Sequence, residues 1–297
     1  MSYKFEAAKV AKMKTFFPDS ELILNKNNSV YHLHLHPDEL AETIITVGDP
    51  SRVKAVSKYF DSIEIKKQHR EFVTHTGFVS KKRITVISTG IGTDNIDIVL
   101  NELDALANID LVNRTPKKKL KSLKIIRVGT SGGLRKELEV DGVVASQAAI
   151  GLDSMAHFYQ FKYSKIEKEN QQNFEKQFGL QNYVALGSEK LLQQFSSFSQ
   201  FGTTITASGF YAPQGRQLRY QLQFPNWVDD VPNFKITKIA PVTNFEMETS
   251  GIYFLGKLLG HECLSLSLIV ANRITKQFSK NYPKKMDELI KNVLEKI

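Results

Sequence analysis

Arginine, glycine and hydroxyl residues come together in Lys-Ile-Ile-Arg-Val-Gly-Thr-Ser-Gly-Gly-Leu (124–134). The run 125–128 is β-branched and apolar apart from Arg127, and it reads as a short buried strand that Gly129 breaks. Glycine lets a backbone turn tightly and approach a ligand with no Cβ in the way. Thr130 and Ser131 can turn hydroxyls and backbone N–H groups toward an anion. A charge in a core strand is costly unless it is paired, so Arg127 either grips a phosphate from the strand's end or sits in a structural ion pair. Gly129-Thr130-Ser131-Gly132-Gly133 also satisfies G-x-S-x-G, the nucleophile elbow of α/β-hydrolases. Asp229, Asp230 and His261 follow in the order that such a triad requires.

Two further arginines and a pair of carboxylates narrow the chemistry. Gly48-Asp49-Pro50-Ser51-Arg52 follows the β run 43–47 and precedes a helix expected over 53–60. A glycine turn between a strand and a helix N-terminus is where α/β sheets hold anions. Arg70 stands in Gln-His-Arg-Glu-Phe (68–72). Glu246 and Glu248 lie just before an amphipathic helix expected over 250–259, and an ionised carboxylate can accept from two adjacent sugar hydroxyls. An anion pocket beside a sugar clamp points to a nucleoside or nucleotide. His32, His34 and His36 alternate along 31–36 as on one face of a strand, but lack the carboxylate or cysteine partners of a metal site.

These groups need a frame, and the hydrophobic periodicity supplies one. Strands are expected at 31–35, 43–47, 72–77, 83–88, 125–128, 140–146, 202–208 and 262–270, with helices over 96–107, 186–195 and 282–297 between and after them. Such alternation makes a single α/β domain. The stretch 160–182 is polar and reads as surface, while 209–233 reads as a long aromatic loop, and loops of that length are usually functional. Residues 1–28 read as an N-terminal extension carrying one helix, ahead of a catalytic domain 29–297.

The 297 residues carry a net charge of +9, and the lysines are dispersed apart from the run 117–124. With no zinc spacing, RNP-type strand or helix-turn-helix, the charge reads as a solvated surface that also attracts a small anion, not as a nucleic-acid face. The lone cysteine, Cys263, allows no internal disulfide, and no segment approaches a membrane span. A cytoplasmic protein is expected.

In order along the chain, Val-Gly-Asp-Pro-Ser-Arg (47–52), His-Arg-Glu-Phe (69–72), Ser-Thr-Gly-Ile-Gly (88–92), Arg-Val-Gly-Thr-Ser-Gly-Gly (127–133), Gly-Leu-Asp-Ser-Met-Ala-His-Phe (151–158) and Asn-Phe-Glu-Met-Glu-Thr (244–249) resemble the nucleoside phosphorylases of the hexameric bacterial type, most closely those that cleave uridine. The resemblance runs from about residue 31 to the C-terminus. It implies a mixed, partly barrel-like twisted sheet flanked by helices, and reversible phosphorolysis of uridine to uracil and ribose 1-phosphate. A purine phosphorylase, a nucleosidase or a non-catalytic nucleoside binder are the alternatives. It implies phosphate binding by Gly48, Arg52, Arg127 and Thr130, with Arg70 entering from a neighbouring subunit. His32 would cross over likewise to the ribose, beside Glu246, Met247 and Glu248. Phe210, Gln214, Arg216 and Arg273 would hold the base, and Arg127, Glu248, Gln214 and Arg216 would carry the catalysis. The partners implied are nucleoside, inorganic phosphate as co-substrate, and further copies of the chain, a dimer at least and a hexamer in the family. No metal or other cofactor is implied, and Asn95 replaces the serine of the family's monovalent-cation site, which argues against potassium. The purine enzymes carry an acid near the end of the last core strand, where this chain has Val-Ala-Asn-Arg (270–273).

Overall fold

Runs such as Thr-Ile-Ile-Thr-Val and Lys-Ile-Ile-Arg-Val are apolar on both faces, and they become the buried strands of the frame. The computed structural model describes residues 14–297. Its strands are β1 (Thr43–Val47), β2 (Ser62–His69), β3 (Phe72–Val79), β4 (Lys82–Ser88), β5 (Ile109–Asp110), β6 (Thr115–Pro116), β7 (Lys124–Gly133), β8 (Val143–Gly151), β9 (Tyr183–Leu186), β10 (Gln200–Thr206), β11 (Val242–Glu246), β12 (Glu262–Asn272) and β13 (Gln277–Phe278). The helices are α1 (Pro50–Ser57), α2 (Thr93–Asn108), α3 (Lys165–Phe178), α4 (Glu189–Gln194), α5 (Trp227–Asp230), α6 (Thr249–Leu259) and α7 (Tyr282–Lys296).

Five strands close on themselves in the order β7-β12-β8-β10-β11 and back to β7. The β12–β8 and β11–β7 joints are antiparallel and the other three parallel, so the barrel is mixed. From β7 the sheet continues outward through β1, β4, β3 and β2. The mixed, partly barrel-like sheet flanked by helices is therefore the fold of this chain. One apolar cluster packs α1 on the open sheet with α4 and α7 beside it on β12, and another packs α2 and α6 on the opposite side. A third, around Phe174, Trp227, Phe234 and Phe245, fastens α3 and the 209–233 segment to the barrel. Among the described residues no helix is long and apolar enough to cross a membrane.

Several local expectations are corrected. Gly129 does not break its strand: β7 continues to Gly133, because these residues stay paired with β12 and, at Gly132 and Gly133, with β11, while Gly129 leaves room for the Arg127 side chain. Residues 31–35 alternate in burial but form a turn, with His34 at φ 55°, drawn in by hydrogen bonds from the His32 and Leu33 amides to Glu102. The polar stretch 160–182 contains α3, started by a Ser164–Glu167 capping box and ended by left-handed Gly179. Its Glu167 is fully buried and paired with Lys257 on α6 at 2.8 Å. Segment 209–233 is not structureless, since it holds α5 and two short 3-10 turns. Of the extension, residues 1–13 lie outside the described residues. Residues 14–28 show turns and a Leu24–Val30 bridge with no helix, and the Phe17 amide bonds to the Arg114 carbonyl.

Candidate active site

A cavity of about 760 Å³ opens past the C-terminal ends of β1, β11 and β12 and along β7. At its centre Arg127 is buried and meets both carboxylates. Its Nη2 donates to Glu248 Oε2 at 2.6 Å and lies 3.3 Å from Glu246 Oε2, while Nη1 faces the Ser267 and Ser265 hydroxyls at 3.2 and 3.4 Å. The guanidinium passes over Gly129, and a Cβ there would collide with it, so the glycine is required by close approach. Glu246 ends β11 and is fixed by the Thr206 hydroxyl at 2.6 Å and by the amides of Glu248 and Thr249, both at 2.9 Å. Glu248 stands just before α6, and its second oxygen accepts from the Gly92 amide at 2.9 Å. Burial pushes the Glu248 carboxyl above its usual range; Arg127 opposes the shift and Glu246 adds to it. For Arg127, burial works against the cation, but Glu246 and Glu248 outweigh it and hold the guanidinium charged.

On one side of this centre lie Gly48, Arg52 and Thr130. Asp49 caps α1 by accepting from the Ser51 amide at 2.8 Å, which fixes the helix start that carries Arg52. Arg52 is largely buried, with Nη1 on the Val128 carbonyl at 3.3 Å and Nη2 on the Tyr282 hydroxyl at 2.7 Å.

On the other side stand Phe210, Gln214 and Arg216, with Met247 completing the wall. The Arg216 guanidinium stacks 3.7 Å from the Phe210 ring centroid and donates to Gln214 Oε1 at 2.7 Å, leaving the Gln214 amide nitrogen free to donate. Burial, with Arg273 nearby, pulls Arg216 down to about 10. Arg273 does not line the cavity. It donates to the Gln214 and Gly215 carbonyls at 2.9 and 3.3 Å, and so holds the turn that presents Gln214. Asn272 is also outside the cavity lining: its amide donates to the Arg135 and Leu138 carbonyls and its oxygen accepts from the Ile274 and Thr275 amides.

Arg70 and His32 are also outside the cavity lining of their own chain. Arg70 occupies the β2–β3 turn at φ 52°, and His32 Nδ1 is 2.6 Å from Glu102 Oε1. The hydrolase triad is not assembled. Ser131 Oγ is buried without a hydrogen-bond partner among the described residues, and His261 Nδ1 accepts from the Leu123 amide instead. Thr206 and Tyr282 hold site residues and were not singled out by sequence, while Gly92 lies within the 88–92 motif without a role there. Two hydroxyls carry no spacing that could have marked them.

Arginines, then paired carboxylates, then an aromatic face with an amide and a guanidinium: this order can hold an anion, a polyol and a planar base in a row. The family model described as Phosphorylase superfamily matches residues 42–296. The uridine phosphorylase of Thermococcus kodakarensis is 28% identical over 268 residues, covering 89% of this chain and 85% of that protein. The DeoD-type purine nucleoside phosphorylase of Alkaliphilus metalliredigens is 26% identical over 252 residues, 82% and 88% of the two chains. A solved structure of a Trypanosoma brucei nucleoside phosphorylase, described as showing uridine phosphorylase activity, superposes with a TM-score of 0.85 at 31% identity over 93% of this chain and 99% of its own. With a family match spanning almost the whole described chain and a superposition this close, the chain belongs to the phosphorylase superfamily, among its nucleoside phosphorylases.

Proposed function

We propose that this nucleoside phosphorylase acts on uridine, giving uracil and ribose 1-phosphate. The observation that carries this reading is the base end of the cavity. The wall from 210–216, 270–271 and Phe278 presents a cationic fork and an amide and holds no acid, and Asn272 is spent on backbone groups. A purine is helped to leave by protonation from an acid, whereas a pyrimidine leaving as an anion needs donors at its oxygens. Arg216 and Gln214 are such donors, in place before the charge develops.

Gly48, Arg52, Arg127 and Thr130 hold phosphate below C1′, with Arg70 of a neighbouring copy. Glu248 and Glu246 orient the ribose with Met247, and His32 of that copy reaches the 5′-hydroxyl. Phosphate oxygen attacks C1′ as the glycosidic bond stretches, and the oxocarbenium-like sugar is stabilised by the phosphate dianion. Arg273 acts on the base through the Gln214 turn. Catalysis is positioning and electrostatics, with phosphate as the nucleophile. A homo-oligomer with a dimer as its smallest unit, built from a catalytic domain 29–297 behind the extension 1–28, fits the exclusion of Arg70 and His32 from their own chain's cavity.

The test is a panel of uridine, thymidine, inosine and adenosine, each incubated with and without phosphate. Phosphate-dependent uracil release from uridine is expected. Cleavage confined to the purine nucleosides would overturn the uridine assignment, and cleavage that ignores phosphate would overturn the arginine reading.

A further inference from the structure

We infer that Tyr282, the first residue of α7, is a positioning residue that aims Arg52 into the site. The inference rests on the reading that Arg52 holds phosphate. Tyr282 does not line the main cavity. Its hydroxyl accepts from Arg52 Nη2 at 2.7 Å, while Nη1 is held by the Val128 carbonyl at 3.3 Å. These two bonds hold both terminal nitrogens of the guanidinium.

What makes the phenol matter is the space behind it. A second cavity of about 500 Å³ lies between α1 and α7, and Arg52 and Asp49 line both cavities, so Arg52 is part of the partition. The second cavity is also lined by Asp287, whose carboxylate is bound by Lys58 at 2.5 Å and by the Tyr59 hydroxyl at 2.7 Å. A long side chain that borders two cavities, with the Asp49 carboxylate near it, has a competing place to go. The Tyr282 hydroxyl removes that freedom by holding the fork against the middle of β7, where Val128 takes its other nitrogen. The same Lys58 and Tyr59 contacts dock α7 on the end of α1, so the hydroxyl stands on a braced element.

The test is steady-state kinetics of Tyr282→Phe beside Arg52→Ala, with whichever nucleoside the panel shows to be cleaved. Loss of a hydrogen bond to a charged group predicts a rise of about tenfold in KM for phosphate in Y282F. KM for the nucleoside and kcat at saturating phosphate stay within about twofold, because the ribose and base walls are untouched. Melting with and without phosphate alone gives a second readout: wild type gains stability from phosphate, and Y282F gains less at the same concentration. An unchanged phosphate KM in Y282F, with R52A impaired, would overturn the positioning role and leave the phosphate reading standing. An unchanged phosphate KM in R52A would overturn both. Equal rises in both KM values for Y282F with a large fall in melting temperature would mean a merely structural tyrosine.

Discussion

Arg127 is at once the ion pair and the cavity residue that its sequence context left as alternatives. Its salt-bridge partners are the two carboxylates that face the same cavity, so the charge is buried without being withdrawn from the site. That arrangement depends on the missing side chain of Gly129. Gly129→Ala forces the guanidinium aside, and misplacement on this scale lowers kcat/KM by about 100-fold. Overpacking also costs about 1–3 kcal/mol of stability, so melting measured beside activity separates a displaced arginine from an unfolded chain. The pH profile follows from two further groups. Glu248 works as an acceptor, hence as a carboxylate, and burial has raised its folded-state pKa. Activity is therefore present above that pKa and lost as pH falls through it, and the acid limb of kcat/KM stands at higher pH than an exposed glutamate gives. In the proposed mechanism Arg216 acts as a cation, and burial with Arg273 nearby has lowered it to about 10. Its contribution is complete at neutral pH and lost as pH rises through about 10, so an alkaline limb is expected there. Arg216→Gln should remove that limb and lower kcat/KM by about 100-fold across the plateau.

At the scale of elements, what could be read from sequence was what hydrophobic periodicity reports. The strand 43–47, the glycine turn after it and the helices that became α2, α6 and α7 stand close to where their patterns put them. What could not be read was set by partners distant in the chain. Glu102 turns 31–35 away from a strand, Lys257 allows a helix to bury Glu167, and pairing with β12 and β11 keeps five residues from Gly129 to Gly133 extended. The aromatic segment 209–233 illustrates both sides. Its length marked it as functional, yet its order comes from Trp227, which is buried against Phe174, Phe178 and Phe234 and donates from Nε1 to the Pro213 carbonyl at 3.1 Å. That bond anchors the turn bearing Gln214, where Gly215 sits at φ 66°. Trp227→Ala should cost about 3–5 kcal/mol in denaturant unfolding. In the folded fraction it should raise KM for the nucleoside while leaving KM for phosphate near wild type, because the arginine end of the cavity rests on other elements. Equal rises in both would show that the segment braces the whole site.

At the scale of the molecule, one chain leaves two expected ligands of the substrate displayed away from its own cavity. They are displayed together. The His69 ring bonds to the His32 carbonyl at 2.9 Å and stacks on His34 at 3.8 Å between centroids, which ties the 31–36 turn to the β2–β3 turn that carries Arg70. No reading of a single sequence can tell a residue that serves its own site from one that serves a copy's, since both have the same place in the chain. A two-fold interface makes the difference testable, because each site would combine Arg127 of one protomer with Arg70 of the other. Arg70→Ala and Arg127→Ala should each be severely impaired alone. When the two are mixed, partially unfolded and reassembled, random pairing gives mixed dimers in about half of the population, each with one intact site and one carrying both defects. Recovery of about a quarter of wild-type activity is therefore expected from the mixture. If Arg70 served its own chain, every site in the mixture would carry one defect or the other and activity would stay at the level of the separate variants. Sizing the mixture at the assay concentration completes the measurement: recovered activity that travels with an assembled species places Arg70 across the interface, and activity absent from such a species refutes the sharing.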